Sequence, residues 1–169
     1  MGMAAGSFQV DDIDGFLGKL AAADRDHGTV TQALNAAHIA GAEHLVHAAR
    51  LAVLANGNGT GFAGSLAIEL ICWVAAERQI GRAFGKMGVC KGKSGLAILS
   101  VGSPAVQVRA AISQIFKGSA ASWDNSLMEL TPEKVPGLRK TFTISDEEMA
   151  VAPIECIILE KVALLALAK

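Results

Sequence analysis

The sequence predicts an α/β chain, and three observations carry that reading. Residues 65–88 form the longest run with helical spacing. Residues 96–101 (LAILSV) are a continuous apolar run bounded by glycines, which reads as a buried strand. Residues 154–168 form a closing helix that is apolar on nearly every side. At 169 residues the chain is long enough for one domain with a real core and short for two, so residues 1–169 read as a single domain.

Residues 7–10 suit a short strand. Asp11 or Asp12 can then cap a helix running to about Ala23 on Ile13, Phe16, Leu17 and Leu20. Residues 24–28 break that helix, and residues 30–35 read as a strand. A second helix spans 41–55 and leads into the loop NGNGTG. After residue 88 the segment VCKGKSG reads as a turn before the strand at 96–101. Gly102, Ser103 and Pro104 open a helix over about 105–116. Residues 117–125 read as loop, 126–130 as a strand, 131–137 as a turn with two prolines, and 138–144 as a short extended segment. Ser145 caps a short helix whose first turn holds Asp146, Glu147 and Glu148. Pro153 begins the last helix; with Glu155, Glu160 and Lys161 on different sides, it is either deep in the core or covered by another protein.

In the run at 65–88, apolar residues surround Glu69 almost completely, so the first half reads as core. From Arg78 the pattern changes. Arg78, Arg82 and Lys86 recur every fourth position and share one face if the helix continues, with Gly81 and Gly85 at the same spacing. A kink or break near residues 76–79 fits the sequence equally well.

Residues 78–123 contain seven Lys and Arg and no acidic residue, whereas residues 1–77 sum to −5 and residues 124–169 to −3. A near-neutral chain with a basic middle third points to a polyanionic partner, short of the basicity that unaided nucleic-acid binding needs. Apolar residues make up 51% of the chain and charged residues only 18%, more apolar surface than a monomer comfortably buries. Some of that excess suits a protein partner.

Catalytic chemistry finds little purchase. Gly59, Gly61 and Gly64 spell GxGxxG, which would fit a nucleotide-binding enzyme, but a helix rather than a strand leads into them and a basic stretch follows where an acidic residue is needed. KGKSG lacks the first glycine of a phosphate loop, since Met87 stands there. His44 and His47 have no carboxylate at ligand spacing. Cys72, Cys90 and Cys156 sit in separate apolar segments and read as buried free thiols in a reducing compartment. No cofactor or metal is expected, and the protein reads as not an enzyme. Residues 51–68 are free of charge over a length that could span a membrane, yet the Asn and Gly cluster at 56–61 marks a loop. With no secretion-signal pattern at the N-terminus, the reading is soluble and cytoplasmic.

Four stretches, at 39–53 (IAGAEHLVHAARLAV), 68–89 (IELICWVAAERQIGRAFGKMGV), 96–102 (LAILSVG) and 154–167 (IECIILEKVALLAL), together resemble the small non-catalytic subunit of the KEOPS complex, the family that includes the PRPK-binding protein. The low aromatic, alanine-rich sequence suggests an archaeal member. The family pattern places a glycine where Ala76 stands and often a tyrosine where Trp73 stands. The alanine argues against a sharp turn. The resemblance implies a single α/β domain with helices packed around a small mixed or antiparallel sheet. It also implies binding to the KEOPS kinase subunit, indirect association with other KEOPS subunits, and recruitment of the tRNA 3′ CCA end for N6-threonylcarbamoyladenosine formation at position 37.

On that reading Arg78, Gln79, Ile80, Arg82 and Lys86 meet the RNA. Arginine supplies charge and a stacking plane, and glutamine supplies amide donors for base edges. Ile154, Ile157, Ile158, Lys161, Leu164 and Leu165 are expected at the kinase interface. The competing reading is a structural adaptor that never touches RNA.

Overall fold

In the computed structural model, which describes residues 1–167, the elements in chain order are β1 (Gly2–Val10), α1 (Ile13–His27), β2 (Thr29–Asn35), α2 (Ala42–Gly57), α3 (Leu66–Val74), α4 (Ile80–Met87), β3 (Gly92–Gly102), α5 (Ala105–Gly118), β4 (Ser122–Trp123), α6 (Val135–Phe142), α7 (Asp146–Val151) and α8 (Ile154–Leu164). Four 3-10 turns lie at Ala36–His38, Asn125–Met128, Pro132–Lys134 and Leu165–Leu167. This is the expected α/β composition, and the sheet is antiparallel throughout. Contacts gather into two units, one of Met1–Ala36 with Val89–Leu127, the other of Ala37–Gly88 with the chain from Met128 onward.

The first unit is the sheet, in strand order β2-β3-β1-β4, with α1 and α5 on one face. Period-two alternation puts Ala4, Phe8 and Val10 of β1 on the same side as Leu96 and Ile98 of β3, where they meet Phe16, Ile115 and Phe116. Phe8 touches Phe16 and Phe116 edge-on at 5.7 and 4.9 Å, and Trp123 stacks on Phe116 at 3.7 Å.

β1 starts five residues earlier than its sequence suggests. Gly2, Ala4, Ala5 and Gly6 have poor strand propensity, but pairing with β3 overrides it. A Cβ at Gly6 would lie 2.2 Å from the Ser122 carbonyl oxygen, so β4 can pair there only against glycine. α1 likewise outruns its expected end and stops at Gly28, which takes the left-handed conformation. Asp24, near that end, accepts hydrogen bonds from the Thr29 hydroxyl and from the Thr31 N–H and hydroxyl, pinning helix to strand.

The second unit is helical. α3 and α8 pack on α2, and α6 and α7 pack on α8. Two expected strands are absent from their places. Residues 126–130 begin in the 3-10 turn Asn125–Met128, where the Asp124 carboxylate accepts from the Ser126 N–H and hydroxyl. Residues 138–144 belong mostly to α6, because Leu138 and Phe142 are spaced four apart and both are buried. The prolines at 132 and 136 stand in first turns, where no N–H is required. Ser145 caps α7 as expected, and Glu148 completes a capping box with it. The closing helix runs as α8 to Leu164 and then tightens; its expected end at Ala168 lies outside the described residues.

The run at 65–88 is two helices, with the break in the stretch where the sequence allowed for one. α3 stops at Val74, Ala76 adopts φ 48, and α4 starts at Ile80. The turn is therefore made despite alanine standing where the family pattern has glycine. His44 caps it: its Nε2–H donates to the Val74 carbonyl at 2.9 Å, while Nδ1 accepts from the Ala40 N–H. The left-handed region costs alanine roughly 1–2 kcal/mol, and glycine gives back up to about 1 kcal/mol in unfolded-chain entropy. Ala76→Gly is therefore expected to stabilise the protein by about 0.5 kcal/mol. A higher urea midpoint would bear this out; a lower one would show that Ala76 is unstrained.

Candidate functional site

The break places Arg78 in the link between α3 and α4, while Arg82 and Lys86 remain on α4. The three cations thus do not form one helical stripe. Arg78 instead lies over the Phe62 ring, with Cζ 4.7 Å from the ring centroid, close enough for a cation–π contact. Phe62 in turn neighbours Trp73 at 6.1 Å. Glu69, wholly buried, accepts from the N–H groups of Phe62 and Ala63 and from the Trp73 indole N–H at 2.8 Å. Phe62, Trp73, Arg78, Asn58, Thr60 and Leu54 help line a cleft of about 170 Å³.

Beside this platform, α4 is nearly all surface. Gln79 and Arg82 are exposed, and Ile80 and Phe84 are 42% and 41% exposed. Ala83 and Met87 alone anchor its inner face. A Cβ at Gly81 or Gly85 would meet nothing within 4 Å, so packing inside this chain does not require either glycine. Two residues that each cost a helix about 1 kcal/mol and serve no internal contact suit the close approach of a partner. Neither Arg78 nor Arg82 forms an ion pair among the described residues.

Lys86 is less free. Its Nζ lies 3.4 Å from Glu77. Burial works to raise the Glu77 carboxyl, yet the Gln79 N–H and the Lys86 ammonium together leave it below the usual carboxylate range. The other cations of the basic middle third, Lys91, Lys93, Arg109 and Lys117, belong to the first unit.

The glycines at 59, 61 and 64 follow helix α2, and the loop's amides at Phe62 and Ala63 are already given to Glu69. A phosphate would have to displace the chain's own carboxylate. His44 is buried, and desolvation lowers it from the ordinary 6.5 to about 4 despite the Val74 hydrogen bond. Among the described residues no group of three His, Cys, Asp or Glu side chains could hold a metal ion, and no helix is long and apolar enough to cross a membrane. Of the three thiols only Cys72 is buried, and burial with help from Glu69 and Glu77 pushes it up to about 11. Cys90 and Cys156 are exposed, contrary to the expectation of three buried thiols, because the apolar residues around them point elsewhere.

Ile154, Ile157 and Ile158 of α8 and Leu165 of the turn after it are buried in the unit's own core, at 6% exposure or less. A partner laid on this helix would meet other atoms. Leu164 is 50% exposed, Leu167 76%, and Lys161 reaches Glu148 at 2.7 Å. Leu164, Leu165, Phe142 and Ala76 form the apolar lining of a groove of about 260 Å³ flanked by Lys86 and Lys161. Sequence reasoning missed Phe62 and Phe84 altogether. An aromatic inside a glycine loop with no strand before it was the available signal for the first, and its i+4 spacing from Ile80 for the second.

An exposed arginine, exposed apolar side chains and glycines that no internal contact requires lie together on α4, an arrangement suited to a protein that binds others. The chain belongs to the kinase binding protein CGI-121 family, whose model matches residues 12–166. No curated protein matches it.

Proposed function

We propose that this kinase binding protein is the non-catalytic subunit of an archaeal KEOPS complex, cytoplasmic, which docks on the kinase subunit and holds the 3′ CCA end of tRNA. The complex then carries out threonylcarbamoylation at adenosine 37, with other KEOPS subunits reached through the kinase. The observation that carries this reading is the Arg78 guanidinium over Phe62, with Gln79, Ile80, Arg82 and Phe84 exposed beside it. Unpaired nucleotides are held by cations that follow the phosphates, by planar groups that stack on bases and by amides that meet base edges. This patch offers all three. Lys86 adds charge from within its pair with Glu77.

For the kinase, the proposed face is the outer side of α8 around Leu164 and Lys161. Ile154, Ile157, Ile158 and Leu165 support it from beneath rather than touching the partner.

The test is tRNA binding by the protein together with its kinase partner, comparing tRNA that has its CCA nucleotides with tRNA from which they have been trimmed. Tighter binding of intact tRNA supports the reading. Equal binding favours an adaptor without RNA contact.

A further inference from the structure

Arg78 differs from Arg82 in how it is held. Arg82 projects from a helix, whereas Arg78 stands in the link between two helices, and among its described contacts the Phe62 ring is what fixes its guanidinium. Phe62 itself sits in the glycine loop after α2, where nothing regular positions it. The N–H groups of Thr60 and Gly61 before it bond back to the Ala55 carbonyl, and the N–H of Phe62 itself goes to one side chain, Glu69.

We propose that Glu69 is a positioning residue for RNA binding: its carboxylate draws the loop inward, sets the Phe62 ring beneath Arg78 and so holds that cation ready for the RNA. This rests on the function proposed above. The chain of contacts is short. Oε1 of Glu69 accepts from the N–H of Phe62 and, at 2.6 Å, from that of Ala63. Oε2 accepts the Trp73 indole N–H one turn further along α3, which locks the carboxylate rotamer. A Cβ at Gly61 would lie 2.9 Å from Oε1, so the loop comes this close only because residue 61 is glycine.

The chemistry explains why a carboxylate sits where apolar residues surround it. Three donors converge on one group that only accepts, and a glutamine, with a single oxygen, would turn its amide donor either toward the two loop N–H groups or toward the Trp73 N–H. A buried carboxylate is costly unless fully bonded, and here it orders a loop that ends at the half-buried Phe62 and Arg78. Without it the Phe62 N–H loses its partner and the ring keeps only its neighbour Trp73, so Arg78 must be ordered when the RNA arrives.

The test measures the affinity of the full chain for intact tRNA in Glu69→Gln, Phe62→Leu, Arg78→Ala and the two double variants with Arg78→Ala. Glu69→Gln and Phe62→Leu are each expected to weaken binding about fivefold, the cost of ordering one long side chain. Neither should weaken it further once Arg78 is alanine. A role confined to folding would give the same loss in both backgrounds, and that result overturns the proposal. So does wild-type affinity in a folded Phe62→Leu protein. This variant leaves the hydrogen bonds to Glu69 in place, because Phe62 donates them from its backbone, and it carries the test if Glu69→Gln does not fold. Wild-type affinity in Arg78→Ala would instead remove the functional reading itself, and the inference with it.

Discussion

Leu164→Asp is expected to weaken binding to the kinase partner by about 100-fold or more, with little effect on the fold. In the free protein Leu164 is half exposed on α8, and solvent-facing substitutions of this kind usually change stability by no more than about 0.5 kcal/mol. Beneath a partner the same position closes an apolar groove formed with Phe142 and Leu165. The cations within reach are already engaged, Lys161 with Glu148 and Lys86 with Glu77. A carboxylate buried there without a partner costs about 3 kcal/mol or more, which is the expected loss of affinity. Calorimetry against the kinase subunit reads it directly. Unchanged affinity, with helicity preserved, would move the kinase to another face of the protein.

The second large effect is on acid stability. His44 is held near 4 in the folded protein, chiefly by desolvation, against 6.5 when exposed. Between those values the unfolded chain binds the proton and the folded chain does not, so stability must fall as pH falls from about 6.5 to about 4. The total loss from this one group is about 3 kcal/mol. Glu77, whose carboxyl is lowered, acts in the same direction at the acid end of that range. A series of urea midpoints over this window should therefore slope downward toward acid, and His44→Gln should flatten most of the slope. The consequence is local as well as global, since a proton forced onto His44 goes to Nδ1 and ends its acceptance of the Ala40 N–H, while the bond from Nε2 to the Val74 carbonyl is kept.

How far the sequence revealed this protein varied with the kind of signal. Strong local signals translated well: the apolar run in β3, the Ser145 cap and the apolar ring around Glu69 all appear in their expected places. Weak propensity did not, so the glycine and alanine start of β1 stayed hidden until β3 was there to pair with it. α6 was obscured by Pro132 just before it and Pro136 in its first turn, which mark a helix start as readily as a turn.

The site was partly legible. Arg78, Gln79, Ile80 and Arg82 follow one another along the α3–α4 link and the start of α4, and the break left open by the sequence at 76–79 takes Arg78 off the helix that carries Arg82. An alanine in the left-handed region leaves no mark in the sequence. On α8 apolarity alone could not separate core from surface, and four of the six residues expected at the interface are buried in the chain's own core. Phe62 was invisible because its partner in sequence is a carboxylate seven residues away, across a loop.

The central claim, that the Arg78 platform grips an RNA terminus, is tested most directly by the ratio of affinities for intact and CCA-trimmed tRNA, measured on the kinase-bound protein with arginine or glutamate at position 78. The account predicts a clear preference for the intact end in the wild type and a ratio near one in Arg78→Glu. A preference of the same size in both proteins would contradict it.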